Sequence, residues 1–191
     1  MSAPAKERPA GGARRLAWVL LGVAALAALL TFGLFRDPTR RDDIPSALIE
    51  SPAPAFTMPL FARYTDPYGP TFDLADYRGT PIVLNFWASW CGPCRVEMPI
   101  LEASWQEYGD EVLFVGVNTQ ERSQRGAQEL LDEFSISYPN GLDADNRINI
   151  DYGLFGLPET FFIRADGTLS YRHAGEISRE TLDAQIRALL E

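Results

Sequence analysis

The sequence predicts an α/β fold: a central mixed sheet flanked by helices, with an N-terminal extension and a single transmembrane helix ahead of it. Three observations carry this reading. Pro81 to Trp87 and Val112 to Val117 are short apolar runs without alternation, the pattern of buried parallel strands, and helix-like segments alternate with them. Later, Thr160 to Ile163 and Thr168 to Arg172 flank Asp166-Gly167, a hairpin turn. Leu16 to Phe35 stands apart as twenty residues without a charge. The order is β-α-β-α and then β-β-α, so parallel strands with crossover helices come first and an antiparallel hairpin and helix close the chain.

The N-terminal run is long enough to cross a bilayer. At ~1.5 Å per residue a helix of that length spans roughly 30 Å, the thickness of the hydrocarbon layer. Lys6, Arg8, Arg14 and Arg15 precede it; Arg36, Arg40 and Arg41 follow it among acidic residues. The bias of basic residues favours a cytoplasmic N-terminus and an exported remainder. A cleaved signal peptide is the competing reading. It needs a small-x-small site just past the run, and Phe32-Gly33-Leu34-Phe35-Arg36 is too bulky. The expected organisation is a cytoplasmic segment (1–15), an anchor (16–35), a Pro-rich extended linker (36–55) and the globular domain (56–191).

Within the domain, Phe56 to Phe61 reads as an edge strand because of Pro59. Thr71 to Leu74 and the Tyr77-Arg78-Gly79 turn lead to the first central strand. Cys91 to about Tyr108 reads as a helix stopped by Gly109, with Val96, Ile100, Leu101 and Trp105 at helical spacing and Pro99 as a kink. Ser123 to about Phe134 is a second helix, with Leu130, Leu131 and Phe134 inward. A loop around Tyr138-Pro139-Asn140-Gly141 leads to a short helical stretch ending near Gly153. The last helix runs from an N-cap at Ser178 to Leu190, with Leu182, Ile186, Leu189 and Leu190 inward.

Charge excludes one class of function. The chain is 46% hydrophobic and 23% charged, a globular composition, with a net charge of −9. Residues 51–191 hold ten basic and twenty-one acidic side chains. Phosphate repels such a domain, and no basic stripe with interleaved aromatics offsets this, so nucleic acid is not an expected partner. No phosphate loop or dinucleotide fingerprint is present, and no cofactor is expected.

The chemistry lies in Trp90-Cys91-Gly92-Pro93-Cys94, which holds the only two cysteines of the chain. They are too close to brace a fold. Half a zinc site is the alternative reading, but there is no second pair and His173 is the only histidine, so no metal is expected. A strand before and a helix after make the pair a redox dithiol. A thiol at a helix N-terminus meets unpaired N–H groups and the positive end of the macrodipole, which favour the thiolate. Cys91 therefore reads as the attacking thiol and Cys94, one turn further in, as the resolving one. Pro93 suits the first helical turn. Trp90 and Trp87 are expected to cover the site, and Arg95 to add electrostatic support. His173 reads as a satisfied surface or edge histidine.

Phe86-Trp87-Ala88-Ser89-Trp90-Cys91-Gly92-Pro93-Cys94 resembles thioredoxin, and Gly156-Leu157-Pro158-Glu159-Thr160 resembles that family's second active-site loop. The resemblance implies a thioredoxin-like fold. It also implies a cis Pro158 that exposes the Leu157 backbone to substrate and keeps metals off the thiols. The match narrows with Ile44-Pro45-Ser46-Ala47-Leu48-Ile49, Cys94-Arg95-Val96-Glu97-Met98-Pro99, Pro158-Glu159-Thr160 and Tyr171-Arg172-His173-Ala174-Gly175. Together with the anchor these are similar to the membrane-anchored thiol:disulfide interchange proteins of cytochrome c maturation (the DsbE/CcmG group). Membership implies a catalytic domain in the periplasm on a single-pass inner-membrane anchor. It implies reduction of the Cys-x-x-Cys-His disulfide of apocytochrome c, with electrons from a membrane dithiol reductase of the DsbD/CcdA type.

Two departures bear on mechanism. Thioredoxin has a buried Asp where this chain has Asn85, and an amide cannot take a proton from Cys94. Glu97 is the better replacement by resemblance, with Glu159 beside the proline loop as a second candidate. Gly92-Pro93 is the general thioredoxin dipeptide, which leaves client restriction open. Alternative functions are a tethered reductase for copper-site cysteines of respiratory oxidase assembly and a non-catalytic apoprotein- or haem-binding module. A peroxidase on the same scaffold is a further option, but peroxiredoxins place a single peroxidatic cysteine in a different loop context.

Overall fold

The computed structural model describes residues 11–34 and 48–191. They fall into two units, divided after Arg40.

The first unit contains helix α1, Gly11–Leu34. Among the described residues no helix is long and apolar enough to cross a membrane. The expected transmembrane helix is therefore not shown. Residues 1–10 of the expected cytoplasmic segment, residue 35 of the expected anchor and residues 36–47 of the expected linker lie outside the described residues.

The second unit is built on a five-stranded mixed sheet. Its strands are β3 (Ile82–Trp87), β4 (Leu113–Asn118), β5 (Asn140–Leu142), β6 (Glu159–Ile163) and β7 (Leu169–Ala174), in spatial order β5-β4-β3-β6-β7. β3 is parallel to β4 and antiparallel to β6; β4 is parallel to β5, and β6 is antiparallel to β7. A smaller ribbon pairs β1 (Thr57–Pro59) with β2 (Thr71–Asp73). The helices are the short α2 (Thr65–Tyr68), then α3 (Gly92–Tyr108), α4 (Gln124–Glu133), α5 (Arg147–Asp151) and α6 (Arg179–Leu190). The fold is thioredoxin-like, as the resemblance implied.

β3 is buried at all six positions, which is why it reads as a continuous apolar run and sits at the centre of the sheet. Val83, Leu84, Phe86 and Trp87 are fully covered, with Val115 and Val117 on one neighbouring strand and Phe161 and Phe162 on the other. Each such side chain contributes about 1.5–3 kcal/mol relative to exposure. Phe86, Tyr152 and Phe161 pack edge-on or tilted at centroid distances of 5.2–5.5 Å.

Several expectations shift. Asn140–Leu142 is an edge strand, not a loop. It pairs with β4 on one side while Leu60 bridges Gly141 on the other, and three residues are too few to carry a periodic signal. Residues 50–53, at the end of the expected linker, are bonded to the β6–β7 hairpin: Glu50 N–H donates to Leu169 O, Leu169 N–H to Ser51 O, and Ala53 N–H to Gly167 O. In α3 the covered positions are Cys94, Glu97, Met98, Leu101 and Ser104, whereas Val96 is 54% exposed. The inward stripe is thus rotated from the one apolar spacing suggested, because a glutamate occupies it. α3 continues through Pro99 as one element. Leu190 faces outward in the last turn of α6.

Candidate active site at the Cys91–Cys94 disulfide

Cys91 and Cys94 are joined as a disulfide. Cys91 is the N-cap of α3, with Gly92 and Pro93 opening the helix. Its Sγ accepts the Cys94 N–H at 3.2 Å, one of the orphan donors of a helix start. Cys91 keeps a sliver of exposure while Cys94 has none. What access there is from solvent is therefore to Cys91. The Leu157–Pro158 bond is cis, as the resemblance implied.

Beneath the cysteines lies a buried polar group. Asn85, in β3, donates from Nδ2 to Glu97 Oε1 at 2.7 Å and to Thr160 Oγ1 at 3.1 Å. Glu97 Oε2 accepts the Ile177 N–H at 3.1 Å. Glu97 is fully buried, one turn beyond Cys94 on the same helix. Burial pushes its carboxyl up to about 8, against the lowering effect of the Ile177 and Asn85 hydrogen bonds. That lies close to the ~8.5 of an ordinary thiol.

Glu159 is placed differently. It pairs in register with Phe86, the residue after Asn85, and successive strand residues point to opposite faces. Glu159 and Asn85 thus belong to opposite faces of the sheet. Glu159 accepts the Phe155 and Gly156 N–H groups on one oxygen, at 2.8 and 3.1 Å, and Arg172 Nε on the other at 2.8 Å. Arg172 also donates to Gly153 O at 3.3 Å and lies under the Phe155 ring. The pair clamps the 153–156 segment that leads into cis-Pro158.

Among the described residues no group of three or more His, Cys, Asp or Glu is placed to hold a metal ion. The site holds a disulfide, a buried carboxyl one turn along the same helix, and a clamped loop.

Comparison with known proteins agrees with this arrangement. The AhpC/TSA family matches residues 49–172. The thiol:disulfide interchange protein DsbE of Pseudomonas fluorescens biotype C is 35% identical over 183 residues, covering 91% of this chain and 96% of that protein. The chain belongs to the DsbE thiol:disulfide interchange proteins. A DsbE crystal structure from Chlorobium tepidum superposes with a TM-score of 0.68 at 28% identity, covering 76% of this chain and all of the other. A secreted disulfide oxidoreductase of Mycobacterium tuberculosis, itself homologous to DsbE, gives 0.62 at 30% identity over 70% of this chain and 95% of its own.

This DsbE family member is a thiol:disulfide oxidoreductase, and its surroundings correct three details. Arg95 does not face the thiols: it is paired with Glu133 at 2.6 Å and lies over Phe134, where α4 competes for its charge. Trp87 is core, with its indole N–H on Asn140 Oδ1 at 2.9 Å. Trp90 alone of the two flanks the site openly. It is 43% exposed, bonded to Gln120 O and stacked under Arg122 at 4.6 Å. His173 stands on the edge strand β7 with Nε2 bonded, as one of its two expected readings had it, but it is buried and not at the surface.

Sequence reasoning missed Glu121. Its carboxylate accepts from Ser89 N–H and Oγ, Asn118 Nδ2, Arg122 N–H and Ser123 N–H at 2.7–3.0 Å. It ties the loop before Cys91 to the loop after β4. A loop glutamate with backbone partners has no periodic signature.

Proposed function

We propose that this protein is a membrane-tethered reductase of the disulfide in the Cys-x-x-Cys-His haem-binding motif of apocytochrome c. In the cycle, the Cys91 thiolate attacks one client sulfur and expels the other as a thiolate. Cys94 then gives its proton to Glu97 and attacks Cys91 Sγ, which releases the second client thiolate. Two electrons pass to the client, and the enzyme is left with the Cys91–Cys94 disulfide. The observation that carries the reading is the buried Asn85–Glu97 pair beneath the disulfide, because it supplies the base that the resolving step needs. Pro158 presents the Leu157 backbone to the client chain, and Trp90 offers it an apolar edge.

Residues 16–35 form the membrane anchor, with the N-terminus cytoplasmic and residues 56–191 in the periplasm. Support comes from the charge-free run and from α1, where Leu16, Trp18, Val19, Leu20, Leu21, Val23, Leu26 and Leu29 are all exposed. A helix apolar on every side belongs in lipid. An exported reductase has no soluble NADPH system to reload it, so a membrane dithiol reductase of the DsbD/CcdA type is its electron donor.

A Cys94→Ser variant tests the proposal. It should trap mixed disulfides through Cys91 with an apocytochrome Cys-x-x-Cys-His peptide and with the membrane donor. Normal c-type cytochromes in a deletion strain would point instead to another exported client.

A further inference from the structure

One peptide group joins Glu97 to the only histidine in the chain. The Ile177 N–H donates to Glu97 Oε2 at 3.1 Å. The carbonyl of the same peptide unit, Glu176 O, lies 3.1 Å from His173 Nε2. A carbonyl only accepts, so of the two ring nitrogens, Nε2 and Nδ1, it is Nε2 that carries a proton toward it. That Nδ1 is buried with no hydrogen-bond partner among the described residues. On its other side His173 pairs in register with Thr160, and Thr160 pairs with Asn85. Paired residues share a face, so Asn85, Thr160 and His173 form one polar row across three strands. The row closes on itself: Glu97 to Asn85, Asn85 to Thr160, Thr160 beside His173, and His173 through the 176–177 peptide back to Glu97.

We propose that His173 is a positioning residue for Glu97. By holding the Glu176 carbonyl it fixes the Ile177 N–H against the carboxylate, and so sets the pH at which Glu97 takes the proton of Cys94. The inference deepens the reading of Glu97 given above and rests on it.

The physical argument concerns a single donor in a dry site. Glu97 is fully covered, so its anion depends on the few groups that reach it. Asn85 is set by the rigid centre of the sheet. The Ile177 N–H is set by the turn between β7 and α6, where Gly175 has φ +96 and Glu176 is exposed. Without His173 the Glu176 carbonyl loses the hydrogen bond that orients it, although the Ile177 side chain stays buried in the core. A hydrogen bond to an ion in low dielectric strengthens when its donor is itself polarised through a chain. The Nε2–H at the carbonyl end therefore strengthens the N–H at the other. The other charged and titratable groups around the row do not replace it. Glu176, from the same turn, repels the Glu97 anion. Tyr138, ahead of β5, is buried and carries no charge near neutrality because burial raises its phenol. Arg172 is committed to Glu159 on the opposite face.

The experiment uses the full-length chain and three substitutions. The pH profile for reduction of a Cys-x-x-Cys disulfide peptide is measured for wild type, Glu97→Gln, His173→Gln and His173→Asn. Gln can bring an amide N–H to the Nε2 position, whereas Asn is too short. The expected result is an inflection that Glu97→Gln removes, that His173→Asn moves up by about half to one pH unit, and that His173→Gln leaves near its wild-type place. An inflection unmoved in both histidine variants, or moved equally in both, would overturn the role of His173 while leaving Glu97 intact. An inflection that survives Glu97→Gln would overturn the reading of Glu97, and this inference with it. Nitrogen NMR of the single histidine gives an independent answer should His173→Asn not fold. Wild-type His173 must show the Nε2–H tautomer; an Nδ1–H tautomer sinks the proposal.

Discussion

The side-chain amide of Asn85 donates to Glu97 Oε1 at 2.7 Å, and both residues are buried. An amide thus holds, without competing for its proton, a carboxyl that burial pushes up to about 8. In the unfolded chain that carboxyl titrates near ~4.3. The folded oxidised protein therefore binds this proton more tightly, and Glu97 costs stability increasingly as pH rises from the unfolded value toward about 8. Urea titrations of the oxidised protein between about pH 4.5 and 8.5 should show wild type losing on the order of a few kcal/mol across that window. Glu97→Gln should lose far less. Equal slopes in the two proteins would mean that Glu97 ionises freely.

The same substitution has a kinetic consequence. An amide cannot accept the Cys94 proton, and a positioned base is worth about 10²–10⁴-fold. Glu97→Gln should therefore accumulate the Cys91 mixed disulfide, with its resolution slowed by about 10²-fold or more. Attack by Cys91 itself should keep most of its rate. Rapid acid quench and mass analysis separate the two steps, and an unaltered resolution rate would count against Glu97 as the acceptor.

Much of this site was legible in the sequence, for identifiable reasons. Cys91, Gly92, Pro93 and Cys94 are contiguous, and the strand and helix that frame them have strong apolar signals. Glu97 was reachable because one helical turn from Cys94 is fixed geometry. What the sequence hid depends on contacts between distant segments. Glu159 looked like a second proton carrier until strand register placed it on the face opposite Asn85 and beside Arg172. Glu121 and His173 act through backbone groups of loops. Asn140–Leu142 is a strand only because β4 offers it an edge.

The Glu159–Arg172 pair should behave as structure. Both side chains are nearly inaccessible, 1% and 5% exposed. Removing one partner leaves the other charge buried and unpaired, at about 3–5 kcal/mol. Glu159→Ala and Arg172→Ala should each unfold at markedly lower denaturant. Glu159→Leu combined with Arg172→Met should recover much of that loss, since apolar replacement of a buried pair is often neutral. Unlike Glu97→Gln, Glu159→Gln should leave the pH profile of mixed-disulfide resolution in place; a shift there would assign Glu159 a proton-carrying role after all.

Glu121 should set an acid limit for the active-site loop. Burial alone would raise its carboxyl, but donors from Asn118, Ser89 and Ser123 hold it below its usual range. A depressed folded value means stability that is present above the unfolded value and is lost as pH falls through the folded one. Trp90 reports on this loop, because its indole N–H rests on Gln120 O and its ring lies under Arg122. The Trp90 indole NMR signal should hold steady at neutral pH and shift only in acid, below the ordinary glutamate range. Glu121→Gln should shift it already at neutrality. A signal indifferent to both changes would detach Glu121 from the loop.

Gly116 is fixed by a side chain from the neighbouring strand. A Cβ there would stand 1.7 Å from Asn140 Oδ1 and 3.0 Å from Trp87 Nε1. Gly116→Ala must therefore expel the Asn140 amide, and the Trp87 indole N–H, buried on that amide, loses its acceptor. The lost bond and the strain together should cost about 2–5 kcal/mol. Asn140→Ala alone unpairs the same indole but leaves no collision. In a double-mutant cycle, Gly116→Ala should therefore add little on the Asn140→Ala background. Additive costs would show that the glycine is required by something other than Asn140.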